Sequence, residues 1–518
     1  MSVSLPENTE PTLPFPDAYG RAIALWFDGQ YEATLEALRD VHPSTVEDIA
    51  DVALLRSRAL TRAKRFEEAL EAASISVFSL DPDRAAATYL LQSMALARME
   101  RLSDAKSRLN LLKDVTALHR TVQAEIYLQH AYVAFKERDY SESRSFLVRS
   151  LGKADDIVLA RAQEMVGYVN VAEEKYVEAA RSFQQAMATL GASRHRDGHM
   201  ELNIFCMSAA LATERLDTDN LGAFDAAYER LRWPQDVGGM RFQAEQNLGM
   251  LHFVAGDMEA AWRHLSVALR FAGDDPAWKL MAHANLMMLH RTLGETFTAT
   301  QHATTGAALL SKVDWTTAQP NRRGALFEYL TEAVRLDVPV DARILQPLAS
   351  LPGAKSVKRD PGADRRFQAI YFTARGNVLG KSDGDRAVDL LNRALDAWID
   401  LGYRYRIATT AMDLYRLTRN QEYLEIAMME TRANRSGFLS RTLREANRSE
   451  NHGLADLSKA ERRLLPAIID GKSSAIIAEE TGRAEQTIKN QIRSIYARLG
   501  VKTRVELVKL CNELGLVS

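Results

Sequence analysis

The sequence predicts an all-α protein in which a long array of helical hairpins precedes a small helical unit of a different kind. Three observations lead there. Pro (14) and Gly (27) are both scarce among 518 residues, so helix breakers and tight turns are few. A pair of small residues twelve positions apart recurs along the chain at near-constant spacing. The formal charge is −2 overall, yet residues 431–518 alone carry 16 basic and 10 acidic side chains, which leaves the rest of the chain acidic.

Composition narrows the class further. A chain this long exceeds what one hydrophobic core supports, so it holds several domains or one extended repeat array. With 46% apolar and 26% charged residues it is a folded chain, which excludes wholesale disorder and collagen. No apolar run approaches the roughly 18 residues of a membrane span. The N-terminal MSVSLPENTEPTLPFP has neither a basic start nor an apolar stretch, so no secretion signal is read and the expected location is cytoplasmic. Cys206 and Cys511 are too few and too far apart for a disulfide framework, in keeping with a reducing compartment.

Residues 1–16 read as a disordered tail, and the array is expected over 17–430. Its pairs are Ala22/Thr34, Ser57/Ala69, Ser93/Ala105, Ala131/Ser143, Gly167/Ala179 and Gly249/Ala261. Their first members are spaced by 35, 36, 38, 36 and 82 residues, the last gap reading as two units. A large side chain stands three residues before each second small one: Tyr31, Phe66, Leu102, Tyr140, Tyr176 and Met258. Two crossing helices must each present a small residue to approach closely, and the large one fills the gap beside the crossing. One hairpin cannot bury its apolar face alone, so hairpins stack into a solenoid whose long concave surface suits a protein segment, a peptide or a small ligand.

These positions, above all Gly167/Tyr176/Ala179 and Leu248-Gly249/Met258/Ala261, resemble the tetratricopeptide repeat family. The chain departs from that family in its longer period and in mostly lacking a proline at the repeat end. Phe297/Thr300, Gly384/Ala387 and Tyr423 extend the pattern in degenerate form, for about eleven hairpins at this spacing. The stretches 312–321 and 352–364 read as solvated loops.

Residues 431–456, rich in Arg, Ser and Asn, read as a basic polar linker with room for a short basic helix. A compact unit is expected over 457–518. Ser458-Lys459-Ala460-Glu461 is a capping box opening a helix with Leu464, Leu465 and Ile468 inward. Ser473 or Ser474 caps a second helix burying Ile476 and Ile477, which ends at Gly482. A third runs Glu485–Leu499 with Ile488, Ile492, Ile495 and Leu499 on one face, and Thr503-Arg504-Val505-Glu506 opens a fourth. The second and third helices, joined by a tight glycine turn, form a helix-turn-helix. A helix fits the major groove, where Arg pairs with guanine and Asn with adenine.

The wording of this unit resembles the LuxR-type DNA-binding domain of bacterial transcription regulators: Leu457-Ser458, Glu461, Leu465, Gly471, Ser473, Ile477-Ala478-Glu479-Glu480, Gly482, Thr487-Ile488-Lys489-Asn490, Ile495-Tyr496, Arg498-Leu499-Gly500-Val501 and Arg504-Val505-Glu506. The resemblance implies that Lys489, Asn490 and Arg493 face bases and that Lys472, Ser473 and Thr487 lie near phosphates; Ser474, Arg483 and Gln491 are expected beside them as further backbone contacts. It also implies that the fourth helix, through Val505, Val508, Lys509 and Asn512, forms a homodimer on DNA. Thr481, Arg483 and Ala484 depart from the family's usual core Leu, aliphatic turn residue and Ser or Thr cap.

No P-loop, receiver pattern, nucleophile elbow or zinc motif occurs, and His283, His290, His195 and His199 do not form a ligand set, so no enzyme activity, metal or cofactor is expected. The resulting expectation is a transcriptional regulator with double-stranded DNA and a protein or peptide in the solenoid groove as partners. The alternative is an adaptor that docks on RNA polymerase or another regulator.

Overall fold

The computed structural model describes residues 15–513 except 113, 194–196, 232, 234–237, 319, 341–360, 433, 435–436 and 452–456. Among these residues it contains twenty-six α-helices and no strand. The chain divides into two compact units, Met1–Phe253 with Asp257–Tyr403, and Val254–Gly256 with Arg404–Ser518.

Consecutive helices of the first unit pair into hairpins: α1 (Phe15–Phe27) with α2 (Tyr31–Ala37), α3 (Val46–Arg62) with α4 (Phe66–Ile75), α5 (Pro82–Arg98) with α6 (Leu102–Leu109), α7 (Arg120–Glu137) with α8 (Tyr140–Leu151), and α9 (Asp156–Ala172) with α10 (Tyr176–Ala192). The series continues with α11 (Gly198–Arg215) and α12 (Leu221–Arg230), α13 (Gly238–Ala255) and α14 (Met258–Phe271), and α15 (Pro276–Thr292) and α16 (Thr296–Ala307). Then α17 (Pro320–Arg335) packs on α15, and α18 (Pro361–Leu379) pairs with α19 (Gly384–Leu401). Each second helix from α2 to α10, and α14 likewise, also packs on the first helix of the next pair, which is the nearest-neighbour stacking of a repeat array.

The twelve-residue rule has a direct physical basis. All twelve small residues of the six pairs are buried. In two pairs they touch through a hydrogen bond: Ser57 Oγ donates to the Ala69 carbonyl at 2.8 Å, and Ser143 Oγ to that of Ala131 at 2.9 Å. A Cβ on Gly167 would fall 2.6 Å from the Phe183 ring, so only glycine lets the helices of that hairpin approach. The large residue of each pair opens the second helix, as the starts of α2, α4, α6, α8, α10 and α14 show. Two positions earlier the backbone turns left-handed, at Gly29, Lys64, Glu100, Arg138, Glu174 and Gly256.

That turn corrects one expected register. Gly294 has φ +79, so α16 begins two residues later at Thr296, and Ala299 is the buried small residue. Phe297, expected to fill the crossing, is 77% exposed, and Thr300 is exposed as well. Gly384 does open α19, with Ala387 buried. The tail expected over 1–16 gives way to helix at Phe15, and residues 1–14 lie outside the described ones. Of the two expected loops, 312–321 is anchored by buried Trp315, whose Nε1 donates to the Leu310 carbonyl at 2.8 Å. The other, 352–364, lies outside the described residues up to 360, where α18 follows.

Distant hairpins of the first unit also meet. The rings of Tyr176, at the start of α10, and Tyr403, after α19, lie 4.7 Å apart, and Arg365 on α18 pairs with Glu174 at 3.3 Å.

In the second unit, α20 (Arg404–Thr418) pairs with α21 (Gln421–Thr431), and α22 (Phe438–Asn451) follows. Within the stretch expected as a polar linker, α22 is a helix of 14 residues, and Leu439 and Leu443, one turn apart, are buried. Asn434 ties it down by donating to the Val254 carbonyl at 3.0 Å, 180 residues away in sequence. Four more helices follow among the described residues. No described helix is long and apolar enough to cross a membrane.

Candidate nucleic-acid interface

The last four helices are α23 (Lys459–Ile469), α24 (Ser474–Thr481), α25 (Glu485–Arg498) and α26 (Arg504–Glu513). The expected capping box opens α23: Ser458 Oγ accepts from the Glu461 amide at 3.2 Å, and Glu461 Oε2 accepts from the Ser458 amide at 2.7 Å. Hydrogen bonds from Ser494 and Ser458 push the Glu461 carboxyl down to about 2, with the nearby Arg498 guanidinium adding to the effect. Ser473 caps α24, and Gly482 ends it at φ +64. Ala484 stands at the start of α25 without any side-chain cap.

A single core binds the four helices: Leu457, Leu464, Leu465, Ile468, Ile477, Ala478, Ile488, Ile495, Leu499, Leu507, Leu510 and Cys511. Ile476 is not in it. Expected inward, Ile476 is 47% exposed, because on this two-turn helix its neighbours Ile477 and Ala478 take the inward face. The box expected at Thr503 is half formed: Thr503 Oγ1 accepts from the Glu506 amide, while the Glu506 carboxylate turns to the Lys502 amide.

With Ile488 and Ile495 buried, α25 turns Lys489, Asn490 and Arg493 outward, and all three are exposed. Lys489 and Arg493 border a shallow depression whose other walls include Lys472, Ser473, Ser474, Tyr496 and Arg504. Arg483, Asn490, Thr487 and Gln491 stand outside it: Arg483 donates to Gln491 Oε1 at 3.3 Å, and Asn490 Oδ1 accepts from Gln486 at 3.3 Å. On α26, Val505 is 77% exposed, Val508 is half-buried and Lys509 is exposed, while the Asn512 side chain lies outside the described residues.

Two of the cations are paired within the unit. Lys472 Nζ meets Glu480 at 2.6 Å, and Lys489 Nζ meets Glu485 at 2.9 Å. Hydrogen bonds from Lys489 and Ser474 hold the Glu485 carboxyl below its ordinary range. Arg493 has no ion pair among the described residues.

Sequence reasoning missed Arg504 as part of this surface. Its guanidinium donates to the Ile468 and Gly471 carbonyls at 2.6 and 3.1 Å and also to that of Lys472, closing the end of α23. That grip fixes the turn that presents Lys472 and Ser473. Among the described residues no cluster of His, Cys, Asp and Glu could hold a metal ion.

Residues 455–511 match the family model described as bacterial regulatory proteins, luxR family. Similar solved structures include the apo form of RapI, 12% identical with TM-score 0.46 over 78% of this chain and 99% of that one. A Rap protein complexed with Competence and Sporulation Factor is 16% identical with TM-score 0.40 over 77% and 99%. The APC/C hetero-tetramer Cut9-Hcn1 is 10% identical with TM-score 0.21 over 79% and 95%. A comparison with curated proteins finds no matching relative. The capped four-helix unit with its outward-facing third helix thus coincides with the luxR-family match at 455–511, and the helices before it form a stacked array of helical hairpins.

Proposed function

We propose that this chain is a cytoplasmic bacterial transcription regulator in which a helical-repeat region, 17–430, binds a protein, peptide or small ligand and controls a DNA-reading unit, 457–518. One observation carries the reading: Lys489 and Arg493 on the outer face of α25 share one depression with Lys472, Ser473 and Ser474 at the start of α24. With α25 in the major groove, Lys489, Asn490 and Arg493 address base edges. Lys472, Ser473, Ser474, Arg483, Thr487 and Gln491 then engage phosphates, which fix register without reading sequence. Val505, Val508, Lys509 and Asn512 of α26 pair two copies, so that recognition helices lie one turn of DNA apart. A ligand that favours one arrangement of the repeats shifts the population able to bind. The chain acts by binding and needs no cofactor.

Chromosome-wide crosslinking of the full chain tests this. Enriched sites should bind the purified chain with an affinity that falls steeply as salt rises. An absence of enriched sites together with salt-insensitive titrations defeats the proposal. The uncapped start of α25 favours a second reading, an adaptor docked on RNA polymerase or another regulator. That reading requires chromosomal occupancy to survive Lys489→Ala combined with Arg493→Ala.

A further inference from the structure

An ionic cluster joins the first helices of several hairpins and takes no part in the DNA-reading unit. Arg62, at the end of α3, and Arg161, on α9, both donate to the same Asp197 oxygen, each at 3.1 Å. Asp197 stands immediately before α11, so the second, fifth and sixth hairpins meet on one carboxylate, with 135 residues between Arg62 and Asp197. One turn before Arg62, Arg58 donates to Glu125 on α7 at 3.1 Å, and Arg161 lies 4.0 Å from the same Glu125. The Asp197 side chain is 5% exposed, whereas those of Arg58, Arg62 and Arg161 keep 27%, 24% and 18%. The cations therefore reach towards solvent from around a carboxylate set behind them.

The three acids that face these cations are held in different ways. Three guanidiniums face Glu125, Asp197 and Glu164. Burial works against ionisation of Asp197, but Arg62, Arg161 and the Met200 amide outweigh it and hold the carboxyl far below its ordinary range. Glu164 behaves in the opposite way: burial and then the charge of Asp197 push it up to about 7, and Tyr168 donates to it at 3.3 Å. Glu164 thus brings less negative charge to the cluster than Asp197 does.

We infer that Arg62 and Arg161 form an anion site on the first-helix side of the hairpins, which Asp197 fills from within the chain and which a ligand's carboxylate or phosphate takes over by displacing it. Paired guanidiniums suit either group, because their donors match two oxygens at once. Displacement releases the tie between the second and sixth hairpins, so the ligand and the arrangement of the repeats are coupled. The inference rests on the reading that the repeat region binds a ligand, and it supplies the chemical class of that ligand.

The test uses the full chain as wild type, as Asp197→Asn, and as Asp197→Asn with Arg62→Gln and Arg161→Gln. Asparagine keeps the cap that Asp197 gives to the Met200 amide at 3.0 Å, so α11 retains its start while the charge is lost. The probes are inorganic phosphate, a pool of acidic heptapeptides, and the same pool with every carboxylate converted to its amide. Retention is read by affinity selection and mass spectrometry, and the phosphate response by thermal shift. The Asp197→Asn chain should respond to phosphate or retain the acidic pool at roughly tenfold lower concentration than wild type. The triple variant should do neither, and the favoured probe identifies the group. Equal behaviour of wild type and Asp197→Asn, equal retention of acidic and amidated pools, or no response at all overturns the site. DNA affinity is measured on the same samples: its loss alone would remove the regulator reading and leave the anion site standing.

Discussion

Arg504 Nε donates to the Ile468 carbonyl at 2.6 Å, so the first residue of α26 holds the end of α23 across 36 positions of sequence. Three carbonyls share this one guanidinium. Arg504→Ala leaves them without that donor and should cost about 1–3 kcal/mol of local stability, with weaker DNA binding following from a looser Lys472–Ser473 turn. Arg504→Lys should recover only part of it, since one ammonium cannot match the planar fork. Hydrogen exchange across 468–476 reads the effect, and wild-type protection in both variants would remove the clamp role.

Gly167 against Phe183 tests the hairpin crossing. Gly167→Ala gains about 1 kcal/mol of helix propensity. It also places a methyl where the ring lies, and such overpacking typically costs about 1–3 kcal/mol. The variant should therefore unfold at lower denaturant, and adding Phe183→Leu should restore part of the loss. A more stable Gly167→Ala chain would contradict the crossing argument.

Ala484 occupies a capping position with extended backbone and no side-chain acceptor. Ala484→Ser should stabilise α25 by about 1 kcal/mol, visible as slower exchange of the amides at the start of α25. Unchanged exchange would show that those amides are already satisfied.

Glu461 gives a pH signature. Its carboxyl is held at about 2 in the folded chain, below the ordinary value, so the ionised form is the one the fold binds. The stabilisation is full above the ordinary carboxylate range and is lost as pH falls towards about 2. Wild type should exceed Glu461→Gln in stability at neutral pH, and the gap should close through that acid window. A constant gap would mean that charge is not the cause.

Arg493 and Lys472 should separate base reading from phosphate contact. Arg493→Ala should lose about 1–3 kcal/mol at one base position, while Lys472→Ala should weaken all sequences alike and flatten the salt slope. Binding of the variants to a set of single-base operator changes distinguishes the two patterns.

What could be read in advance follows from distance along the chain. The six small pairs, the large residues that open second helices and the Ser458 box are all set within about a dozen positions, where steric fit and capping act locally. Phe297 has the size to fill a crossing, but Gly294, with its left-handed backbone, fixes where α16 starts and leaves the ring outside. Ile476 misled because α24 is so short that neighbouring apolar residues compete for one inward face. Arg504 on the Ile468 carbonyl, Asp197 between two arginines, and Asn434 on Val254 carry no local signal, since each depends on which distant elements the stacking brings together. The outward face of α25 was legible because the burial of Ile488 and Ile495 dictates it. The pairing of Lys472 with Glu480 and of Lys489 with Glu485 depends on side-chain rotamers that the sequence pattern leaves open.

The contact of Tyr176 with Tyr403 has a consequence for how the chain folds. A row of hairpins that touch only their neighbours frays from either end, one unit after another. Here a middle hairpin is also fastened to the end of the first unit, a loop whose closure entropy must be met before its contact forms. The ring pairing should therefore arrive late in folding, after the local hairpins, and make the first unit melt as a block. Cutting away the segment that carries Tyr403 should then accelerate unfolding least at α1 and most around α10, far along the sequence from the cut.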